Sequence, residues 1–126
     1  MEIKKVMLID DDPDILKIGK LSLTGIGNWE VFTASSGNEA IQVAARETPD
    51  VILLDTAMPD MDGVAVLQQL RQAPALTNVP IFLTTTRVTQ GEDEYYRSRG
   101  ASGIMSKPFN PITLPAEIES RLTPRS

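Results

Sequence analysis

Four short apolar runs in this chain end in side chains suited to polar chemistry. Val6-Met7-Leu8-Ile9 runs into Asp10-Asp11, and Val51-Ile52-Leu53-Leu54 into Asp55. Pro80-Ile81-Phe82-Leu83-Thr84 runs into Thr85, and 102–106 into Lys107. If the acids share one place, each like-charge pair at about 4 Å costs on the order of 4 kcal/mol at an effective dielectric of 20. Such a cluster needs a cation, and a donor set of oxygens alone points to a hard ion, Mg2+. A metal, an ammonium and a hydroxyl together make a phosphoryl-transfer site, and a carboxylate can serve as its nucleophile, giving an aspartyl phosphate. Asp55, the lone acid at the centre, is the candidate nucleophile. Each residue also has a plainer reading: Asp55 as a turn residue at a strand end, Thr85 as one of three strand threonines, Lys107 as a solvated lysine.

These runs are too short for helices and lack polar alternation, as expected of strands covered by helices on both faces of a parallel sheet. In such sheets ligands bind outside the carboxyl ends of the strands. A flavodoxin-like order, 2-1-3-4-5, would make the first and third strands neighbours and bring Asp10, Asp11 and Asp55 into one crevice. Glu30-Val31-Phe32-Thr33 reads as the second strand, after a turn at 25–28. The intervening segments read as helices. Asp12 caps the first, with Pro13 in its first turn and Ile15, Ile18 and Leu21 or Ser22 at helical spacing. Ser36 and Glu39 have capping-box spacing ahead of an apolar face of Ala40, Ile41, Ala44 and Ala45. Asp62-Gly63 opens a third helix with Val64, Leu67 and Leu70 inward. The 90–99 segment has few apolar residues and is expected to be the most mobile helix. Thr113 caps the last, with Leu114-Pro115 in its first turn and Ile118 and Leu122 inward. Strand and helix alternate five times without repeat or linker, which predicts a single α/β domain over 1–126 built as a doubly wound, five-stranded parallel sheet.

Composition narrows the chemistry. The 126 residues are 41% hydrophobic and 23% charged, as in globular domains. With neither cysteine nor histidine, thiol chemistry, imidazole metal sites and a phosphohistidine of its own are excluded. A net charge of −5 argues against a nucleic-acid surface. No apolar run reaches the length of a membrane span and the opening residues lack a signal-peptide layout, so the expected location is cytoplasmic.

Leu8-Ile9-Asp10-Asp11-Asp12-Pro13, Leu54-Asp55-Thr56-Ala57-Met58-Pro59 with Asp62-Gly63, Thr85, and Gly100-Ala101-Ser102-Gly103 leading to Lys107-Pro108-Phe109 together resemble the receiver domain of two-component response regulators. The resemblance spans nearly the whole chain. It implies a phospho-accepting signalling domain, not an enzyme in the usual sense, in which Asp55 takes a phosphoryl group from a sensor histidine kinase or histidine phosphotransfer protein. Asp11 would bind Mg2+ directly, Asp10 mainly through water, and the Ala57 main-chain carbonyl would be a further ligand. Thr85 and Lys107 would contact the phosphoryl group, and Lys107-Pro108 would be a cis peptide. Ala57 and Arg87 would flank the approach of hydrolytic water, implying slow self-dephosphorylation. Two positions depart from the family pattern: Thr86 stands where a small residue is usual, and Ile104 where many receivers carry a switching aromatic. With nothing after Ser126, the expectation is either a stand-alone, chemotaxis-regulator-like receiver signalling to a downstream protein by contact or a piece of a longer regulator.

Three other readings compete. A phosphatase of the haloacid dehalogenase type needs a second acid where Ala57 stands. A flavodoxin needs a phosphate-holding loop where Asp10 to Asp14 would repel phosphate. A degenerate receiver, used only as an interaction module, would not need all the site residues.

Overall fold

A computed structural model describes residues 2–122. Its five parallel strands are β1 (Lys5–Ile9), β2 (Glu30–Ala34), β3 (Val51–Asp55), β4 (Ile81–Thr85) and β5 (Gly103–Ser106), in the order β2-β1-β3-β4-β5. Helices α1 (Pro13–Gly25), α2 (Gly37–Glu47), α3 (Gly63–Gln72), α4 (Gln90–Arg97) and α5 (Leu114–Leu122) connect and follow them. A single 3-10 turn at Pro74–Leu76 lies between α3 and β4. This is the flavodoxin-like architecture expected.

Period-two alternation splits the strand side chains between two cores. Met7, Ile9, Ile52, Leu54, Ile81 and Leu83 pack with Ala40, Ala44, Val66, Leu67 and Leu70 of α2 and α3. Val6, Leu8, Val51, Leu53, Phe82 and Met105 pack with Leu23 of α1 and Leu114 and Ile118 of α5. Full burial on both faces is why β1 and β3 read as unbroken apolar runs.

The caps follow the sequence. Asp12 accepts the Asp14 amide, Ser36 the Glu39 amide and Asp62 the Ala65 amide. In α2 the reciprocal bond is displaced by one residue: the Glu39 carboxylate accepts the amide of Ser35, not that of Ser36. Several inward faces differ from expectation. Ile18 and Leu21 are exposed, and the buried positions of α1 are Gly19, Ser22 and Leu23. Ser22 is inward because its hydroxyl donates to the Pro111 carbonyl, a partner 89 residues away that helical spacing cannot reveal. In α2, Ala45 is exposed and Val43 packs against the core instead. In α3, Val66 is buried while Val64 is only partly covered. Leu67, Leu70 and Ile118 are inward, with Leu122 partly so.

Candidate functional site

Strand register sets the site. Ile9 pairs with Leu54, so the next residue of each strand, Asp10 and Asp55, emerges abreast at the carboxyl edge. Asp55 pairs with Thr84 and Thr85 with Ser106, so Thr85 and Lys107 come off the same edge. Hence residues separated by up to 97 positions meet at the rim where β1, β3, β4 and β5 end.

Among the described residues, Asp10, Asp11 and Asp55 bring one carboxylate oxygen each to within 4.8 Å of one another. Asp10 and Asp55 are buried, at 1% and 5% exposure, while Asp11 is open to solvent. Lys107 reaches in from β5 and places Nζ 2.9 Å from Asp10 Oδ2 and 3.3 Å from Asp55 Oδ2. The other Asp10 oxygen accepts the Asp12 amide at 2.9 Å. Among the described residues, Asp55 Oδ1 has only a long 3.5 Å contact from the Ala57 amide.

The electrostatics follow from this geometry. Burial raises the Asp55 carboxyl above its usual value, the charge of Asp10 raises it further, and Lys107 opposes both without cancelling them. Burial alone would lower the Lys107 ammonium, but its bond to Asp10 and the charges of Asp10 and Asp55 leave it raised. Three carboxylates against one ammonium leave two negative charges uncompensated, which matches a divalent cation. The donors are all oxygens, so a hard ion such as Mg2+ fits them.

Thr85 lies buried at the end of β4. Its hydroxyl accepts the Arg87 amide at 3.1 Å and its carbonyl accepts the Lys107 amide at 2.8 Å. Among the described residues its hydroxyl makes no bond to the acids, so it stands at the site without joining the cluster. The Lys107-Pro108 peptide is cis, as expected. Ala57 is exposed in the loop between β3 and α3, whose ends are joined by a bridge between Ala57 and Asp62. Gly63 is required there: a Cβ would lie 2.7 Å from the Thr56 carbonyl oxygen. Ile104, at the position where many receivers carry a switching aromatic, is buried in the core. Asp60 escaped the sequence reading although it ties this loop to α2, accepting the Gly37 and Asn38 amides at 2.9 and 3.1 Å. Only its place in an acid-rich loop after Pro59 marked it.

Comparison with known proteins agrees with the geometry. The family model described as the response regulator receiver domain matches residues 6–119. The alkaline phosphatase synthesis transcriptional regulatory protein PhoP of Bacillus subtilis is 34% identical over 119 residues, 94% of this chain and 48% of its own length. Response regulator PleD of Caulobacter vibrioides is 34% identical over 116 residues, 92% of this chain and 25% of its own. This chain thus spans half or less of these relatives. Among solved structures, chemotaxis response regulator CheY4 of Vibrio cholerae superposes with a TM-score of 0.88 at 32% identity, covering 95% of this chain and 99% of that one. With acids, threonine and lysine delivered to one sheet edge in receiver order, and a family match from the first strand into the last helix, the chain belongs to the response regulator receiver domains of two-component phosphorelay signalling.

Proposed function

We propose that Asp55 is the phosphoryl acceptor of this receiver and that Asp10, Asp11, Asp55 and the Ala57 main-chain carbonyl hold Mg2+. The observation that carries this reading is the buried Asp55 carboxylate, set beside Asp10 and Lys107 at the sheet edge. Bound Mg2+ would supply charge neutralisation between the carboxylates and the incoming phosphoryl oxygens.

The chain's own residues do the rest. An Asp55 carboxylate oxygen attacks phosphorus on the donor phosphohistidine; the O–P bond forms, the P–N bond breaks and the bond pair leaves with the imidazole. Lys107 favours the ionised, nucleophilic form of Asp55 and is placed to follow the charge onto the phosphoryl oxygens. The Thr85 hydroxyl, bonded among the described residues to the Arg87 amide alone and there as acceptor, has its proton to donate to one of those oxygens. Because residues 1–126 hold no histidine, the phosphohistidine lies outside them, on a sensor histidine kinase or histidine phosphotransfer protein, and the phosphorylated form signals to a downstream protein by contact. Such partners place the chain in the cytoplasm. No helix among the described residues is long and apolar enough to cross a membrane. Residues 1–126 act as one receiver domain, and its own contribution to turnover is confined to assisting transfer and slow loss of phosphate.

Phosphotransfer profiling tests the proposal. Autophosphorylated histidine kinases and phosphotransfer proteins are mixed with the parent and with Asp55→Asn in Mg2+. Label should move to the parent from at least one donor and from none to the variant. Equal labelling of the two would overturn the assignment.

A further inference from the structure

The loop from Ala57 to Asp62 has a second attachment that the phosphoryl chemistry does not use. Helix α2 begins with free amides, as every helix does. The Glu39 amide is satisfied locally by Ser36. The first two, on Gly37 and Asn38, are satisfied by Asp60, which arrives from the loop after β3 and gives one carboxylate oxygen to each, at 2.9 and 3.1 Å. A carboxylate on a helix N-terminus gains from both charge-assisted bonds and the helix dipole, and those two amides hold the Asp60 carboxyl below the usual range. The approach is close. A Cβ on Gly37 would stand 3.0 Å from both Cβ and Sδ of Met61, so a larger residue would press on the loop. At the loop's base the bridge between Ala57 and Asp62 joins its two ends.

We propose that Asp60 is a positioning residue for the metal site: by docking on α2 it fixes the loop tip, and through the bridge to Asp62 it fixes the direction of the Ala57 carbonyl. The inference rests on the reading that this carbonyl is a metal ligand. A carbonyl on an untethered loop would have to be ordered each time the ion bound, so the tether should appear in affinity rather than in the fold. Groups behind a metal's direct ligands are worth about 10–100-fold in affinity, and a tether on one of several ligands belongs at the low end.

The test uses Mg2+ alone, titrated calorimetrically into the unphosphorylated chain well below its unfolding temperature, with amide exchange of 57–61 followed in chelator. Asp60→Ala should bind Mg2+ about 10-fold more weakly and exchange faster across the loop. Asp60→Asn, which keeps one acceptor, should fall between it and the parent. Ser36→Ala removes a cap from the same helix end without touching the loop and should leave Mg2+ affinity unchanged. Parent-like affinity in folded Asp60→Ala would overturn the inference while leaving the metal site intact, as would an equal loss in Ser36→Ala. If the parent fails to bind Mg2+, or Asp11→Ala binds as the parent does, the metal reading falls and this one with it.

Discussion

Asp55 is held in a condition that disfavours its own charge. Burial and Asp10 both raise its carboxyl, and Lys107 offsets them only in part. The folded chain therefore binds a proton here more readily than the unfolded chain, whose carboxyl titrates near the ordinary 3.8. Folding stability of the metal-free protein falls as pH rises from that value through the folded one, and the loss is complete above it. Removing the charge should relieve the strain. Asp55→Asn is expected to be more stable than the parent at neutral pH in chelator, by on the order of 1 kcal/mol once the lost attraction to Lys107 is set against the repulsion from Asp10. Saturating Mg2+ should shrink the gap, because the ion stabilises the parent by binding its native state. Urea unfolding with and without Mg2+ checks this, and a destabilised variant in chelator would contradict it. Lys107 is raised as well, but there it is the charged form that the fold favours. Its raised value means its stabilisation is full below about 10.5 and is lost as pH rises through the folded value. Two exposed residues at the mouth bear on phosphate lifetime. By resemblance to receivers, Ala57 and Arg87 would flank the hydrolytic water, to which Ala57 would offer no side-chain hydrogen bond, and a guanidinium is no base. Ala57→Asn with Arg87→Glu is expected to speed loss of phosphate by about 10-fold, equivalent to about 1.4 kcal/mol of barrier. Equal decay rates at saturating Mg2+ would mean that these positions do not control the water.

Helix α4 is the weakest-held element among those described. None of its residues is fully buried, and Tyr96 alone packs against the core from it. Its far end is better anchored: Arg71 donates from α3 to the Gly100 carbonyl at 2.9 Å and to those of Leu76 and Val79 at 3.0 and 2.6 Å. Its near end joins the site through the Arg87 amide on Thr85. If Thr85 turns its hydroxyl toward a bound phosphoryl group, that amide loses its partner and the start of α4 is where the chain can yield. A ligand shifts such an equilibrium only by its differential affinity for the two states. Amide exchange is expected to be fastest in 87–94 among the helical and adjoining segments, to change there with a phosphate analogue, and to stay unchanged in Thr85→Ala. Changes confined to the crevice would break the proposed link. The existence of the helices and the caps of the first two, Asp12 and Ser36, were legible in the sequence because caps are local chemistry, whereas Thr89, which accepts the Glu92 amide at the start of α4, was not singled out. Their inward faces were less so: Ser22 turns inward for Pro111, Ala45 yields to Val43, and Val64 to Val66, choices made by partners distant in sequence.

At the scale of the whole chain, the site was readable because a parallel sheet converts sequence position into place. Each apolar run ends at the same edge, so the residue after it belongs to the site whatever the distance along the chain. Asp10, Asp11, Asp55, Thr85 and Lys107 could therefore be found together from sequence, and the structure brings them to one rim. Asp60 could not, since nothing local distinguishes a carboxylate that crosses to α2 from one facing water. What remains is where the phosphoryl group goes. The chain is incubated with a small acyl phosphate and Mg2+, the aspartyl phosphate is trapped by borohydride reduction to homoserine, and peptide mass spectrometry locates the product. Homoserine should appear at position 55, only with Mg2+, and not in Asp55→Asn. Homoserine at Asp10 or Asp11 in the parent, or none at any position despite bound Mg2+, would contradict Asp55 as the acceptor.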